Sequence, residues 1–229
     1  MNESLTLTLS GKNSVLEAQY YPQIELNPVK NYVIGLVELY TFNSIPNIDK
    51  TNNKFKLENL DAIIIPEGSY EIDDINTYLN EQLSGKNITL ELKPNNNTLR
   101  SIIHCSENID FKEPNSVGKL LGFTPKILKA NETHQSDLPV TILKVNCLRV
   151  ECNITTGSYI NSKQDHTIHE FFPTVPPGYK IIEVPVSVIY LPVNVKTIDH
   201  LQIRIVDQDG HLVNFRGEEI TIRLHIKSV

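Results

Sequence analysis

The chain has 229 residues and a formal net charge of −6, and its 27 Ile and 17 Val residues stand against three Ala. Since branched side chains suit a pleated sheet and Ala suits a helix, this composition predicts a mainly β protein and argues against a helical bundle. The acidic balance provides no global field for phosphates, so we expect no specific nucleic-acid partner. No apolar run reaches the ~20 residues of a membrane helix, so we expect no membrane insertion.

The first part of the chain contains two predicted strands. Leu5–Leu9 alternates polar and apolar residues, and Tyr32–Phe42 is a nearly continuous apolar run. A Pro-containing stretch joins them, and the Asn-rich segment Ser44–Lys54 is predicted to be a loop. The start of the chain lacks a basic region followed by an apolar run, so we expect no signal peptide and no secretion by that route.

The middle of the chain contains the one helix that periodicity predicts. Ile72, Ile75, Leu79 and Leu83 recur at spacings of three and four residues, which is the apolar stripe of an amphipathic helix. Gly85 follows the last of them as a stop signal. We therefore predict a helix over this stripe.

Short strands and a turn surround this helix. Ala62–Ile65 is a predicted strand, and Asn87–Leu92 with Leu99–His104 is a predicted hairpin around an Asn-rich turn. Asn115–Gly122 has a capping residue in front and a glycine behind, which predicts a short helical turn. Residues 55–137 are therefore predicted to be a small α/β subdomain.

The last part of the chain returns to strands. Six segments have strand character: Val140–Val145, Leu148–Ile154, Ile181–Leu191, Leu201–Val206, Leu212–Phe215 and Glu219–Ile226. The first part alone has too few strands to close a sheet. Residues 1–54 and 138–229 are therefore predicted to build one β-sandwich, with 55–137 inserted into one of its loops.

Motifs that resemble metal or receptor sites have simpler explanations. His166 and His169 would share a face only on a helix, and their Pro-rich surroundings disfavour one. Asp207–Gly210 resembles the start of a calcium loop, but the spaced acceptors and closing Glu are missing, so we expect a hairpin turn. Arg216–Glu218 lies between predicted strands, where its glycine turns the chain. We assign no metal-binding residue.

The cysteines do not indicate an active site. Cys105, Cys147 and Cys152 offer no metal spacing and are too few for a disulfide framework. Each could be a nucleophile in principle, but buried inert thiols are the favoured interpretation. Phosphate loops, nucleophile elbows and zinc-protease motifs are missing from the sequence. We therefore predict no catalytic or cofactor-binding residue, no cofactor and no enzymatic activity.

One proline-rich segment has the attributes of a protein–protein contact. Phe171, Phe172 and Tyr179 lie on a stretch stiffened by prolines, and such a loop loses little entropy when it docks. We predict these three residues as a subunit interface. The equally weighted alternative is a loop that caps the core of its own domain.

Several segments resemble viral penton proteins. Ile65–Tyr70, followed by Ile75-Asn76, is similar to a Pro-Glu-Gly-x-Tyr stretch that leads into a helix in adenovirus penton base. Ile109–Phe111 and Leu120–Phe123 resemble the same family's Val-Asp-Phe and Leu-Leu-Gly segments. The order and approximate spacing agree over about sixty residues.

The C-terminal part extends this resemblance. His166–Phe171, Pro176–Tyr179 and Phe215–Leu224 resemble the penton, or minor capsid, proteins of Polinton/Maverick elements and adintoviruses. That family implies a single jelly-roll sandwich with an inserted upper domain. It also implies a homopentamer at the vertices of an icosahedral capsid, with a double jelly-roll major capsid protein as partner. The location would be the virion, assembled from protein made in the host cell.

The resemblance has limits, and other functions stay open. Adenovirus penton bases are much longer and present an Arg-Gly-Asp loop, where this chain has only Arg216–Glu218, so integrin binding does not carry over. Fibre binding is not carried over either, because a fibre is not an expected partner in Polinton/Maverick elements. A receptor- or carbohydrate-binding jelly roll is the alternative, although the chain has no Trp for sugar stacking. A cupin-type enzyme ranks last, because it needs clustered histidines.

Overall fold

The computed structural model describes residues 4–142 and 144–229, and the chain divides into two compact units. The first unit combines Met1–Ile45 with Val145–Val229, and the second is Pro46–Lys144. No helix within the described residues is both long and apolar enough to cross a membrane.

The strands and helices follow one another along the chain as three groups. Before the second unit lie β1 (Ser4–Gly11), β2 (Val15–Glu25) and β3 (Tyr32–Phe42). The second unit contains β4 (Lys54–Phe55), β5 (Ile63–Ile64), α1 (Ile72–Leu83), β6 (Leu90–Asn95), β7 (Arg100–Cys105), β8 (Ile109–Asp110), a short 3-10 helix (Val117–Lys119), β9 (Ile127–Leu128) and β10 (Thr133–Gln135). The chain then forms β11 (Leu148–Cys152), β12 (Ser158–Ile160), β13 (Lys163–Asp165), β14 (Thr167–Phe171), β15 (Lys180–Glu183), β16 (Leu191–Pro192), β17 (Thr197–Val206) and β18 (Ile220–Ser228).

The first unit is a jelly roll. One sheet has the order β1-β18-β3-β15, with β16 also paired to β3, and the other has the order β14-β11-β17-β2. The antiparallel pairs are nested: β1 with β18, β2 with β17, β3 with β15, and β11 with β14. Nested pairing means that the chain is rolled up as one long hairpin, which is the jelly-roll arrangement. The predicted mainly β class is confirmed.

Alternation along the strands builds the core of this unit. On β18, Ile220, Ile222, Leu224 and Ile226 are all fully buried, while the residues between them are not. Leu201, Ile203 and Ile205 of β17 are fully buried in the same cluster from the other sheet. This period of two is what places one face of each sheet against the other.

The second unit is built around α1. The helix has the bounds that its apolar stripe predicts, and Ile72, Ile75, Leu79 and Leu83 are buried. Its first turn is capped by Asp74, whose Oδ2 accepts a hydrogen bond from the Glu71 amide at 2.9 Å. The helix packs on β6, which pairs with β7 to form the predicted hairpin. The predicted short turn is also present, with the Ser116 hydroxyl accepting from the Gly118 amide.

The second unit is wider than residues 55–137. At its start, Ile48 is fully buried in the core of this unit and bridges to Gly68. At its end, Val140 and Ile142 pack on the same core, and Lys144 forms an ion pair with Asp49. These contacts attach both flanking segments to the second unit.

Some predicted strands differ from the structure. β2 occupies what the sequence suggested was a Pro-containing connection, and the predicted strand Ile181–Leu191 is interrupted after Glu183. Leu212–Phe215 has one isolated bridge, between Val206 and Leu212, rather than a strand. The described part of Val140–Val145 is not a strand, and Leu143 lies outside the described residues.

One buried polar atom stands out in the first unit. The Thr41 hydroxyl on β3 lies in a side chain that is 2% exposed and has no hydrogen-bond partner. Burying a hydroxyl without a partner costs free energy. We predict that Thr41→Val raises the free energy of unfolding by about 1 kcal/mol. Urea denaturation followed by circular dichroism measures this.

Thr221 is the matched control for that substitution. Its hydroxyl lies 3.0 Å from the hydroxyl of Ser10, so Thr221→Val removes a hydrogen bond and relieves no unpaired buried hydroxyl. A Thr41→Val protein no more stable than the Thr221→Val protein would contradict the prediction.

Asp137 ties two segments of the second unit together. Its Oδ1 accepts from the Lys126 ammonium at 2.6 Å, and its Oδ2 accepts from the amide and hydroxyl of Thr124. The hydrogen bond from Lys126, followed by those from Thr124, lowers the pKa of the Asp137 carboxyl well below its ordinary value of 3.8. These bonds therefore favour the ionised carboxylate in the folded state.

The stabilisation by Asp137 should depend on pH. Because its folded pKa is lowered, the contribution is present at neutral pH and is lost as the pH falls from about 5 toward about 2. We predict that Asp137→Asn lowers the midpoint of urea unfolding at pH 7. The difference in midpoint between the variant and the parent protein should narrow on acidification. Asp61→Asn, at an exposed position, is the control. A gap that stays constant down to acidic pH would contradict this.

Candidate interface of the first unit

Phe171 belongs to the core rather than to a surface. It ends β14, is 6% exposed and lies in the core cluster of the first unit, with its ring stacked 5.9 Å from His169. The pairing of β14 with β11 shifts register between Val150 and Glu151, so both Ile168 and Phe171 are buried. The prediction of Phe171 as an interface residue is therefore corrected, and this residue follows the core-capping alternative.

Phe172 and Tyr179 are exposed at the two ends of the loop between β14 and β15. About two thirds of each side chain is accessible to solvent. Asn43 holds the loop, because its side-chain amide donates to the Val175 carbonyl at 2.7 Å and its backbone bonds to both Gly178 and Tyr179. The loop is thus fixed while its terminal aromatic rings stay accessible, and the prediction of an interface now concerns these two rings.

Between its pairings with β15 and β16, β3 is passed by a connecting segment that the sequence pattern did not separate from a strand. β3 pairs with β15 at Leu39–Phe42 and with β16 at Val33–Ile34. Residues 184–190, here called the strap, connect these two strands and belong to no ladder. A Cβ on Gly35 would lie 2.5 Å from Val188 and 2.7 Å from the Ile189 carbonyl oxygen. The strap therefore passes β3 at a distance that only glycine permits.

The strap and its flank present apolar side chains to solvent. Ile182, Val184 and Ile189 are each more than half exposed, and Val186 is 107% exposed. The stretch from 184 to 192 contains no charged residue. Phe42, also exposed, shares the outer face of the sheet with Ile182, because Phe42 pairs with Lys180 and Tyr40 with Ile182. We call Phe42, Ile182, Val184, Val186 and Ile189 the strap face.

The charged residues beside the strap face contact partners within the sheet. Arg223 lies 2.6 Å from Glu38, and the Tyr40 hydroxyl donates to the same carboxylate. That hydrogen bond raises the pKa of the Tyr40 hydroxyl. The Lys180 ammonium lies 5.3 Å from the centre of the Tyr40 ring. Pairing of this kind leaves the apolar residues as the main feature of this edge.

The far end of the strap is anchored by Tyr190. Its hydroxyl lies 2.8 Å from Nδ1 of His225, and Nε2 of His225 lies 2.7 Å from the Ser4 hydroxyl. The Lys227 ammonium lies 3.9 Å from the centre of the Tyr190 ring. These contacts fasten the strap to β18 and β1. The strap is thus held at both ends by the same sheet.

The histidines and the acidic turn considered for a metal have hydrogen-bond partners within the chain. The His166 ring bonds to the Thr155 carbonyl oxygen, and the His169 ring lies 2.8 Å from Glu183. Asp207, Asp209 and His211 place ligand atoms within 4.8 Å of one another on a mostly exposed turn. Asp207 Oδ1 accepts from the amides of the other two residues, as the predicted hairpin turn requires.

The thiols lie in unreactive surroundings. Cys105, Cys147 and Cys152 are buried and free. Burial raises the pKa of the Cys105 thiol, and it raises the pKa values of Cys147 and Cys152 to about 11. Since the thiolate is the nucleophile, little of it forms at neutral pH. The predicted burial of these thiols is confirmed, and their inertness stays a prediction.

The Arg216-Gly217 pair forms a turn, as its sequence suggests. Both residues have positive φ, 54° and 79°. The Arg216 amide donates to the Asn214 side chain at 2.8 Å. The positive φ that this turn requires explains the glycine, so no receptor-binding role is needed to account for it.

No protein-family model and no curated protein matches the chain. Among solved structures, the crystal structure of the mavirus penton protein covers 100% of this chain and 100% of that chain, with a TM-score of 0.54 and 12% identity. This chain is similar in fold to that penton protein. The resemblance to penton proteins that the sequence motifs suggested is thereby confirmed at the level of the fold.

The close approach of the strap to Gly35 leads us to predict that a larger residue at this position destabilises the protein. A methyl group at this position meets backbone as well as side-chain atoms, so Gly35→Ala should displace the strap and cost about 1–3 kcal/mol of unfolding free energy. Faster amide hydrogen exchange in residues 184–190 is the expected signature.

Gly11→Ala is the matched control on the same sheet. The atom nearest a Cβ there is the end of the Leu16 side chain, which can move. Equal exchange of the strap in both variants would contradict the prediction.

Proposed function

We propose that the chain is a structural virion protein, a homopentameric penton capsomer that occupies the vertices of an icosahedral capsid. The observation that carries this proposal is the jelly roll of the first unit, together with the likeness in fold to the mavirus penton protein over the whole of both chains. The proposed role is one of assembly rather than of catalysis.

The surface of the first unit suits a protein that associates with copies of itself. A closed ring uses a heterologous interface, in which one patch on each copy meets a different patch on the next. Such an interface needs exposed apolar and aromatic side chains on rigid elements. Phe172 and Tyr179, on a loop fixed by Asn43, supply two exposed aromatic rings of this kind. We propose both as subunit contacts.

The partners proposed beyond the ring follow from the same role. A capsomer at a vertex is surrounded by the major capsid protein, and we propose a double jelly-roll protein in that position. The buried thiols and the net charge of −6 are compatible with a particle that relies on shape and apolar contact rather than on disulfides or on nucleic-acid binding. We propose the virion as the location of the assembled protein.

The mass in solution tests the proposal. We predict a pentamer of five times 26.0 kDa in sedimentation or light scattering of the purified protein. Phe172→Ser and Tyr179→Ser should shift the population toward the monomer, and far-ultraviolet circular dichroism should stay unchanged, because both side chains are exposed in the single chain. A parent protein that stays monomeric over the whole concentration range would contradict the pentamer and favour the receptor- or carbohydrate-binding alternative.

A further inference from the structure

The strap face contains five of the exposed large apolar side chains of the described residues, and four of them lie between Ile182 and Ile189. The exposed fractions of these five residues correspond to roughly 600 Å² of accessible surface, an amount comparable to the largest apolar patches of monomeric proteins. Each partner in a standard protein–protein interface contributes about 800 Å². The strap face is therefore close to the size of one side of such an interface.

The chemistry of the strap face limits what can cover it. No charged residue occurs from 184 to 192, and the neighbouring ammonium groups of Lys180 and Lys227 already lie over the rings of Tyr40 and Tyr190, so the strap itself offers no cation to the phosphates of a nucleic acid. The chain as a whole is acidic, which disfavours an anionic lipid surface. An apolar protein surface of similar area remains as the complementary partner.

The rigidity of the strap also suits a preformed contact. Its start continues β15, its end continues into β16, and Tyr190 is anchored to His225. Pro185 fixes one backbone dihedral between the two exposed residues Val184 and Val186. A surface that is already ordered loses little entropy on binding.

We propose that the strap face is the surface through which one copy of this chain binds the next. The proposal rests on the proposed assembly into a ring, and it adds the particular surface that each copy presents. Val186 is the residue that the test changes, because its side chain is completely exposed in the single chain and would be covered in the assembly. The next copy contributes a different surface, as a closed ring requires.

The test compares two identical substitutions in the first unit. Val186→Asp places a carboxylate in the proposed interface, and Val29→Asp places the same group on another valine that is 88% exposed. We expect Val186→Asp to raise the dissociation constant of the oligomer at least tenfold and Val29→Asp to leave it within about twofold. Sedimentation equilibrium measures both, and circular dichroism verifies that both fold.

A photoreactive benzophenone side chain at position 186 gives a second measurement. Irradiation should produce cross-linked dimers and larger species of this chain, whereas the same group at position 29 should not. This readout detects a contact even where the oligomer dissociates during sedimentation.

The results of these experiments distinguish the strap-face proposal from the capsomer proposal. A pentameric parent protein with an equally pentameric Val186→Asp variant would overturn the strap face and leave the capsomer standing. A parent protein that is monomeric by mass but cross-links through position 186 would support the strap face and contradict the pentamer in solution. A monomer that gives no cross-link would overturn both. Flotation of the monomer with phosphatidylcholine vesicles would assign the strap face to a membrane and also overturn the proposal.

Discussion

The pairing of the first described strand with the last closes the jelly roll. β1 and β18 pair over eight consecutive residues, from Ser4 with Lys227 to Gly11 with Ile220. β18 lies between β1 and β3 and supplies fully buried residues to the core. All the other nested pairs of the roll lie inside this one along the chain. The strand arrangement of the first unit therefore depends on pairing between residues near the two ends of the described chain.

This constraint gives the two units different kinds of contact. The sheets of the first unit join segments separated by the entire second unit, and closing such long loops slows the formation of contacts. In the second unit, α1, β6 and β7 all lie between Ile72 and Cys105, so their mutual contacts are local. The nested topology thus concentrates the non-local pairing in the unit that carries the candidate interface.

The sequence predicts best where structure is decided locally. The apolar stripe of α1 and the apolar run of β3 have the bounds that the pattern gives, because a helix fixes its own period and β3 is a central strand with a partner on each edge. β2 was missed because Pro22 lies within it, at a register shift where Ile198 pairs with Ile24 but His200 pairs with Gln19. The partner strand, rather than the local sequence, decides such a shift.

The candidate interface was only partly predictable for the same reason. Phe171 and Phe172 are adjacent in sequence, yet one lies in the core and the other in solvent, since Phe171 is the last residue of a strand whose pairing contains a bulge. The strap resembled a continuous strand because Ile, Val and Tyr dominate it. Gly35 was the available signal, as a glycine within an apolar strand marks a close approach of another backbone.

The burial of all three thiols has a practical consequence for chemistry on this molecule. Alkylating reagents react with accessible thiolates, and the pKa values of Cys147 and Cys152 near 11 leave almost none at neutral pH. A cysteine introduced on an exposed loop would therefore be modified much faster than the native residues. A chain that keeps its three native cysteines can then carry a single dye or spin label at the introduced one.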